Sequence, residues 1–329
     1  MKRILLAIAI SIIGLPSAWA DISADEIDQA AADVQPQVVE WRRWFHQHPE
    51  LSNREFNTSK RIVEILREMG LEPKTGIAHT GVTALIEGGK PGPLVAIRTD
   101  IDALPVTEQT GLPFASTARA EYNGQEVGVM HACGHDAHMA MLLGAAKVLN
   151  DMKAELPGSV LLIFQPAEEG PPMGEDGGAS MMLDDGIFAE RMPEAVFGMH
   201  VGIGVPGGQF AVKPGPLMAA ADTFRIAVTG KQTHGARPWD GVDPIVVSSQ
   251  IVLALLTIVS RQVDVTKAPS VISFGRISGG IRNNVIPDRV EMEGTIRTFD
   301  EEMRAYIHAA IERNARLIAE AAGAGAEVE

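Results

Sequence analysis

The chain has 329 residues but one cysteine, two tyrosines and an aromatic content of 5%. A single thiol excludes an intrachain disulfide framework as a source of stability. Cys133 must therefore be buried and inert, reactive, or held by a metal. Basic residues are also scarce, with 28 Lys and Arg against 42 Asp and Glu, a net charge of −14. So acidic a surface repels phosphate backbones, and no basic cluster with interleaved aromatics is present, so nucleic-acid binding is not expected. Repeats and low-complexity tracts are missing too. Beyond residue 20, no segment reads as long and apolar enough to span a bilayer, and no membrane association is expected once the leader is removed.

The leader itself is explicit. Residues 1–20, "MKRILLAIAISIIGLPSAWA", begin with Lys2 and Arg3, continue as an uncharged run and end in Ala18-Trp19-Ala20. This is the three-part pattern of a secretory signal peptide, and the reading is cleavage after Ala20 and export to the periplasm or outside the cell. An exported lone thiol is exposed to oxidation unless something occupies it.

The apolar content of 46% is ample for a core, and the length suits two domains. From about Asp25 to Gly70 the apolar spacing is helical, with a break at "HPELSN". The runs "GVTALIEG", "PLVAIRTDIDALP", "SVLLIFQPAEEG" and "AVFGMHVG" are continuous rather than alternating, as in strands covered on both faces, and "DAHMAMLLGAAKVLN" between them reads as a helix. The fold class is α/β: a three-layer domain over residues 21–215 with a largely parallel core sheet. Over residues 216–329 the order becomes β-α-β-β-α, a ferredoxin-like α+β module whose last strand is only beginning at "AEVE".

Within that frame, Cys133, His135, Glu169 and His200 fall at strand ends or turns, and such ends converge at one edge of an α/β sheet. Gly134 permits a tight turn between Cys133 and His135. Thiolate, imidazole and carboxylate together suit zinc or a related divalent ion, although a lone buried cysteine is ordinarily a small hydrophobe. Glu168 and Glu169 are adjacent in "QPAEEG"; most such pairs are solvated turns, but one carboxylate could bind metal while the other moves a proton. Asp100 and Asp102, two apart in "RTDIDALP", either belong to a turn or orient a ligand histidine from behind.

The motifs "RTDIDALPV", "HACGHDAHMAMLLGAAKVL", "FQPAEEG", "FGMH" and "RNNVIPDRVEMEGTIRTF" resemble, in order, those of the M20 metallopeptidases. The most similar group is the amidohydrolase branch of aminoacylases, hippurate hydrolases and auxin-conjugate hydrolases. The resemblance implies a catalytic domain with two divalent ions, zinc or manganese, and an inserted lid domain through which two copies dimerise. By position, Cys133, His135, Glu169 and His200 match metal ligands, and Glu168 matches the general base that takes a proton from metal-activated water. His234 matches a lid histidine reaching the partner subunit's active site, and Asn284 a lid residue contacting the substrate end. The implied reaction is cleavage of the amide bond of N-acyl amino acids or small peptides.

The chain also departs from the family. Gln232 and Thr233 stand where a Gly-Gly pair is usual, and Trp239 replaces a common second histidine. The family returns after the lid to complete the catalytic domain and supplies a further ligand histidine there. This sequence stops before such a segment, so truncation at the C-terminus is the expectation, with exposed sheet edges and weak or absent activity. His308, in the last predicted helix, reads as a surface or packing residue. Two other readings remain open: a thiol hydrolase with Cys133 as nucleophile, and a non-catalytic remnant.

Overall fold

The computed structural model describes residues 22–329, which fall into two units divided between Gly207 and Gly208. This division precedes the 215/216 boundary read from the sequence and lies in the same strand-free connector. The leader lies outside the described residues.

Ser23 opens the first unit with a capping box: its hydroxyl accepts the Glu26 amide while the Glu26 carboxylate accepts the Ser23 amide. Helix α1 (Ala24–Gln47) follows, then α2 (Phe56–Glu68), β1 (Lys74–Ile77), β2 (Gly81–Glu87) and β3 (Lys90–Asp100). A hairpin of β4 (Arg119–Tyr122) and β5 (Gln125–Gly128) leads to α3 (His135–Asp151), β6 (Pro157–Gln165), α4 (Gly178–Asp184) and β7 (Ala195–Gly198). The five-stranded sheet runs β1-β2-β6-β3-β7. It is mixed rather than parallel throughout: β3 pairs in parallel with β6 and β7, whereas β1–β2 and β2–β6 are antiparallel. The three residues between β1 and β2 are too few for a crossover, so that edge can only turn back on itself.

Strand β6 shows why its sequence lacks alternation. Val160, Leu162 and Phe164 pack with α1, α2 and α3 on one face, and Ile163 packs with Met182 of α4 on the other. Both faces are covered, so both need apolar residues. The unit accordingly has three layers. Gly144 lets α1 and α3 approach closely, since a Cβ there would lie 2.5 Å from Val38.

In the second unit, β8 (Ala220–Thr229), β9 (Thr233–His234), α5 (Pro244–Arg261), β10 (Ser270–Gly279), β11 (Val285–Ile286), β12 (Arg289–Thr298), α6 (Glu301–Ala321) and β13 (Gly325–Val328) follow in turn. The four strands of its main sheet run β10-β12-β8-β13, all antiparallel, which is the ferredoxin-like arrangement. The "AEVE" run supplies the fourth strand, with Gly325–Val328 opposite Thr229–Ile226, although it covers only part of β8. His308 sits on α6 with Nε2 3.3 Å from Asp222 Oδ2.

Helix α5 corrects one expectation. Its 18 residues have a mean hydropathy of 1.7, so among the described residues this one helix is, by length and composition, apolar enough to cross a membrane. One face explains part of this: Val247, Ile251, Leu255 and Ile258 lie in the core of the unit. The other face leaves Ile245, Val246, Leu253 and Leu256 exposed.

A buried polar link joins α1 to the start of α3. His46 lies with Nδ1 2.9 Å from Asp136 Oδ2 and Nε2 3.1 Å from Glu108 Oε1, and Arg42 Nε adds a 2.8 Å bond to Asp136. The Asp136 hydrogen bond outweighs the burial that opposes charge, so His46 holds its proton above its ordinary range. A raised folded pKa adds stability that is complete below the unfolded value of about 6.5 and disappears as pH rises through the folded one. Replacing His46 by Gln should therefore cost about 3 kcal/mol near pH 6 and clearly less near pH 9, as read by urea denaturation at the two pH values.

Candidate metal centre

The parallel half of the sheet determines where the chemistry lies. Asp100 ends β3, Glu168 and Glu169 follow β6, and His200 follows β7, so their side chains gather at the carboxyl edge, where open α/β sheets bind ligands. The fourth contribution is the turn into α3. Gly134, at φ +91, occupies the left-handed region, and a Cβ there would strike Val201 Cγ2 at 2.2 Å. Only glycine fits between Cys133 and His135.

Three overlapping groups have ligand atoms within 4.8 Å of one another: Cys133, His135 and His200; His135, Glu168 and Glu169; and Asp100, His135 and His138. His135 is common to all. Its Nδ1 is 2.8 Å from the Asp102 carbonyl and 3.2 Å from Asp102 Oδ1, which places the proton on Nδ1 and leaves the Nε2 lone pair facing the cluster. That Nε2 is buried without a hydrogen-bond partner. Around it stand Asp100 Oδ2 at 3.6 Å, Glu168 Oε2 at 3.7 Å and Glu169 Oε1 at 3.8 Å, distances longer than a hydrogen bond. Cys133 Sγ is 3.3 Å from His200 Nε2, while His200 Nδ1 lies 2.7 Å from the Val201 carbonyl. An orphaned imidazole nitrogen ringed by carboxylates beside a thiol fits a divalent cation, and sulfur, nitrogen and oxygen donors suit zinc.

The electrostatics point the same way. Burial opposes a charged His135, yet the Asp102 hydrogen bond and the Asp100, Asp102 and Glu168 charges outweigh it and raise its pKa. Burial, then Glu169, Glu168 and Asp100, push the Cys133 thiol up to about 12. An uncompensated thiolate is thus strongly disfavoured, which weighs against Cys133 as a free nucleophile. Glu168 is raised by burial first and the Asp100 charge second. Asp100 goes the other way, to about 2: burial is overcome by the His138 hydrogen bond and by His135 and Arg98.

The two aspartates divide their work. Asp102 steadies His135 and accepts the Ser52 hydroxyl at 2.8 Å and the Glu169 amide at 2.9 Å. Asp100 faces the open side of His135 and binds His138 Nδ1 at 2.7 Å and Arg98 at 2.9 Å. His138 was not singled out from the sequence. Its other nitrogen accepts the Val201 amide at 2.9 Å, so it ties the chain after β7 to the end of β3 and has no lone pair left for a metal. The signal was available, since His135 and His138 are three apart on one helix and share a face. His234 and Asn284 belong to the second unit. His234 pairs with Val285 across β9 and β11, the Gly235 amide donates to the Asn284 carbonyl at 2.9 Å, and both side chains are exposed.

The profile of peptidase family M20/M25/M40 matches residues 96–328. Among curated relatives, thermostable carboxypeptidase 1 of Saccharolobus solfataricus is 43% identical over 282 residues, covering 85% of this chain and 68% of its own. The N-acetyl-L-cysteine deacetylase of Bacillus subtilis is 44% identical over 274 residues, covering 83% and 62%. A solved structure of the Bacillus subtilis YxeP protein, described as a dinuclear metal-binding peptidase of the M20 family, superposes with a TM-score of 0.72. That match has 40% identity and covers 92% of this chain and 74% of that one. The chain thus spans 62% to 74% of the length of these proteins.

Zinc or manganese added to the metal-free protein should raise the unfolding temperature in differential scanning fluorimetry, since about 100 Kd of ligand adds about 2.7 kcal/mol. His135→Ala should abolish that shift. An equal shift in the variant would place the metal elsewhere.

Proposed function

The chain belongs to peptidase family M20/M25/M40, and on that premise we propose that it hydrolyses the amide bond of N-acyl amino acids or small peptides with a pair of divalent ions. The observation that carries this reading is His135 Nε2, buried and unpaired inside an arc of carboxylates, next to a Glu168 whose charge is disfavoured. Cys133, His135, Glu169 and His200 would hold the ions, zinc or manganese. Bound there, divalent ions polarise an amide carbonyl and lower the pKa of water.

The remaining steps belong to the protein. Glu168, raised by burial and by Asp100, accepts the proton of the attacking water and returns it to the departing amine. His234, exposed on the second unit, would reach the active site of a partner subunit and donate there to the developing oxyanion, an interaction worth about 3 kcal/mol where single donors have been removed. Asn284 contacts the substrate end. The acylated substrate is supported by the likeness to the Bacillus subtilis deacetylase, and a small peptide by the likeness to the carboxypeptidase.

Two further parts of the reading concern setting. The leader pattern supports export to the periplasm or beyond, where a metal-bound thiolate is protected from oxidation. The bare apolar face of α5, where Leu253 is 68% exposed, and the neighbouring edge strand β10 support a homodimer built on the second unit.

A second reading, a metal-binding chain without turnover, draws on the uncovered edge at β7, where Phe197 is 58% and Met199 62% exposed beside His200. Hydrolysis of N-acetyl amino acids with added zinc or manganese separates the two. Activity is expected to vanish in EDTA, and Glu168→Gln should lower kcat by about 100- to 10,000-fold with little change in KM. Activity that survives EDTA would revive the thiol mechanism, and no activity with metal bound would favour the second reading.

A further inference from the structure

The break at "HPELSN" reads in sequence only as an interruption between helices, but four successive residues there, Ser52 to Glu55, grip the segments that follow β3 and β6. Ser52 donates to Asp102 at 2.8 Å. Asn53 donates to Glu175 and to the Asp176 carbonyl, both at 3.0 Å, and Arg54 makes two bonds to Glu175. Glu55 reaches furthest in: Oε1 accepts the Ala167 amide at 2.9 Å, and Oε2 accepts the Thr80 hydroxyl at 2.7 Å.

Glu55 is an unusual choice for that place. It is 0% exposed, its hydrogen-bond partners are neutral, and burial pushes its carboxyl up to about 7. A buried carboxylate without a paired cation is a burden on folding that an apolar side chain of similar size would remove. Its location supplies the reason. Ala167 has φ +48, the left-handed region that L residues other than glycine rarely adopt, and Glu168 and Glu169 come next. The amide before Glu168 is held by Glu55, and the amide of Glu169 is held by Asp102. The backbone of the proposed base is thus pinned on both sides by buried carboxylates.

We propose that Glu55 is a positioning residue: by accepting the Ala167 amide it fixes the strained turn that aims Glu168 and Glu169 at His135. Charge is not required for this. Protonated, Glu55 still accepts from Ala167 through its carbonyl oxygen and donates to Thr80, and a glutamine can do the same. The activity part of the inference rests on the proposed function; the metal-binding part does not.

The test uses the full chain carrying Glu55→Leu or Glu55→Gln, with three readouts: unfolding temperature, zinc affinity by competition with a chromophoric chelator, and kcat and KM on an N-acetyl amino acid. Glu55→Leu, which leaves the Ala167 amide and the Thr80 hydroxyl without their acceptor, should still unfold cooperatively but bind zinc about 10- to 100-fold more weakly and lose about 100-fold in kcat with KM little changed. Glu55→Gln should restore affinity and kcat to near the parent values. Parent-like zinc affinity and kcat in a folded Glu55→Leu would overturn the proposal, as would a Glu55→Gln as impaired as Glu55→Leu. Should Glu55→Leu not fold, Glu55→Asp, which keeps the charge but withdraws it by one methylene, must lose zinc affinity and kcat together; parent values there reject the role. If the parent hydrolyses none of these substrates, the proposed function fails, and the zinc measurements still decide for or against Glu55.

Discussion

The structure of the first unit is organised around a concentration of negative charge that its neighbouring cation, Arg98, offsets only at Asp100. Asp100, Asp102, Glu168 and Glu169 converge on one imidazole, and two of the four are almost completely buried. Like charges this close in a medium of reduced dielectric repel strongly. The same field appears in three different groups: it raises His135 against the burial that opposes its charge, and it adds to burial in lifting the Cys133 thiol to about 12 and in raising Glu168. A divalent cation inverts all three effects at once, favouring the neutral imidazole, the thiolate and the carboxylate.

Holding such a cluster requires a rigid frame, and the frame is visible in the packing. Parallel strands β3, β6 and β7 deliver acidic residues and His200 to one edge. Helix α3 delivers His135 from its first turn, and its axis is fixed by close contact with α1 at Gly144 and by the His46–Asp136 link. Asp100 and Asp102 remain ionised because the surroundings donate to them: His138 and Arg98 to the first, Ser52 and the Glu169 amide to the second. Apart from Arg98, which shares β3 with Asp100, the donors come from elements distant in sequence, so the folded core and the charged edge stabilise each other.

What could be read from the sequence follows from the range of the interactions involved. The order of elements, the covered strand β6, the ferredoxin-like order β8-α5-β10-β12-α6-β13 and the gathering of Cys133, His135, Glu169 and His200 all leave local patterns or motifs. Sheet direction at β1 and β2 was less legible, because continuous apolar runs signal two covered faces and carry no information on strand direction. Glu55 was invisible for a different reason. In sequence it is one more glutamate in a polar loop, and its burial is created by Thr80 and by Ala167, which lies 112 residues away. Helix α5 was undervalued because its apolar content serves the core on one face and is exposed on the other.

The adjacent carboxylates after β6 show how environment, not residue type, assigns a chemical role. Glu168 and Asp100 share the space around His135, yet their affinities for protons are driven apart. Asp100 is covered by donors and falls to about 2, so it contributes a permanent negative charge. Glu168 has no such donors, is partly buried and faces that charge, so a proton on it relieves repulsion. Two carboxyls whose environments separate them in this way are suited to opposite duties, one remaining ionised while the other exchanges a proton. This separation depends on where the turn at Ala167 places Glu168: with the backbone less firmly held, the side chain could swing toward solvent, recover hydration and lose the raised proton affinity on which its proposed role as a base rests.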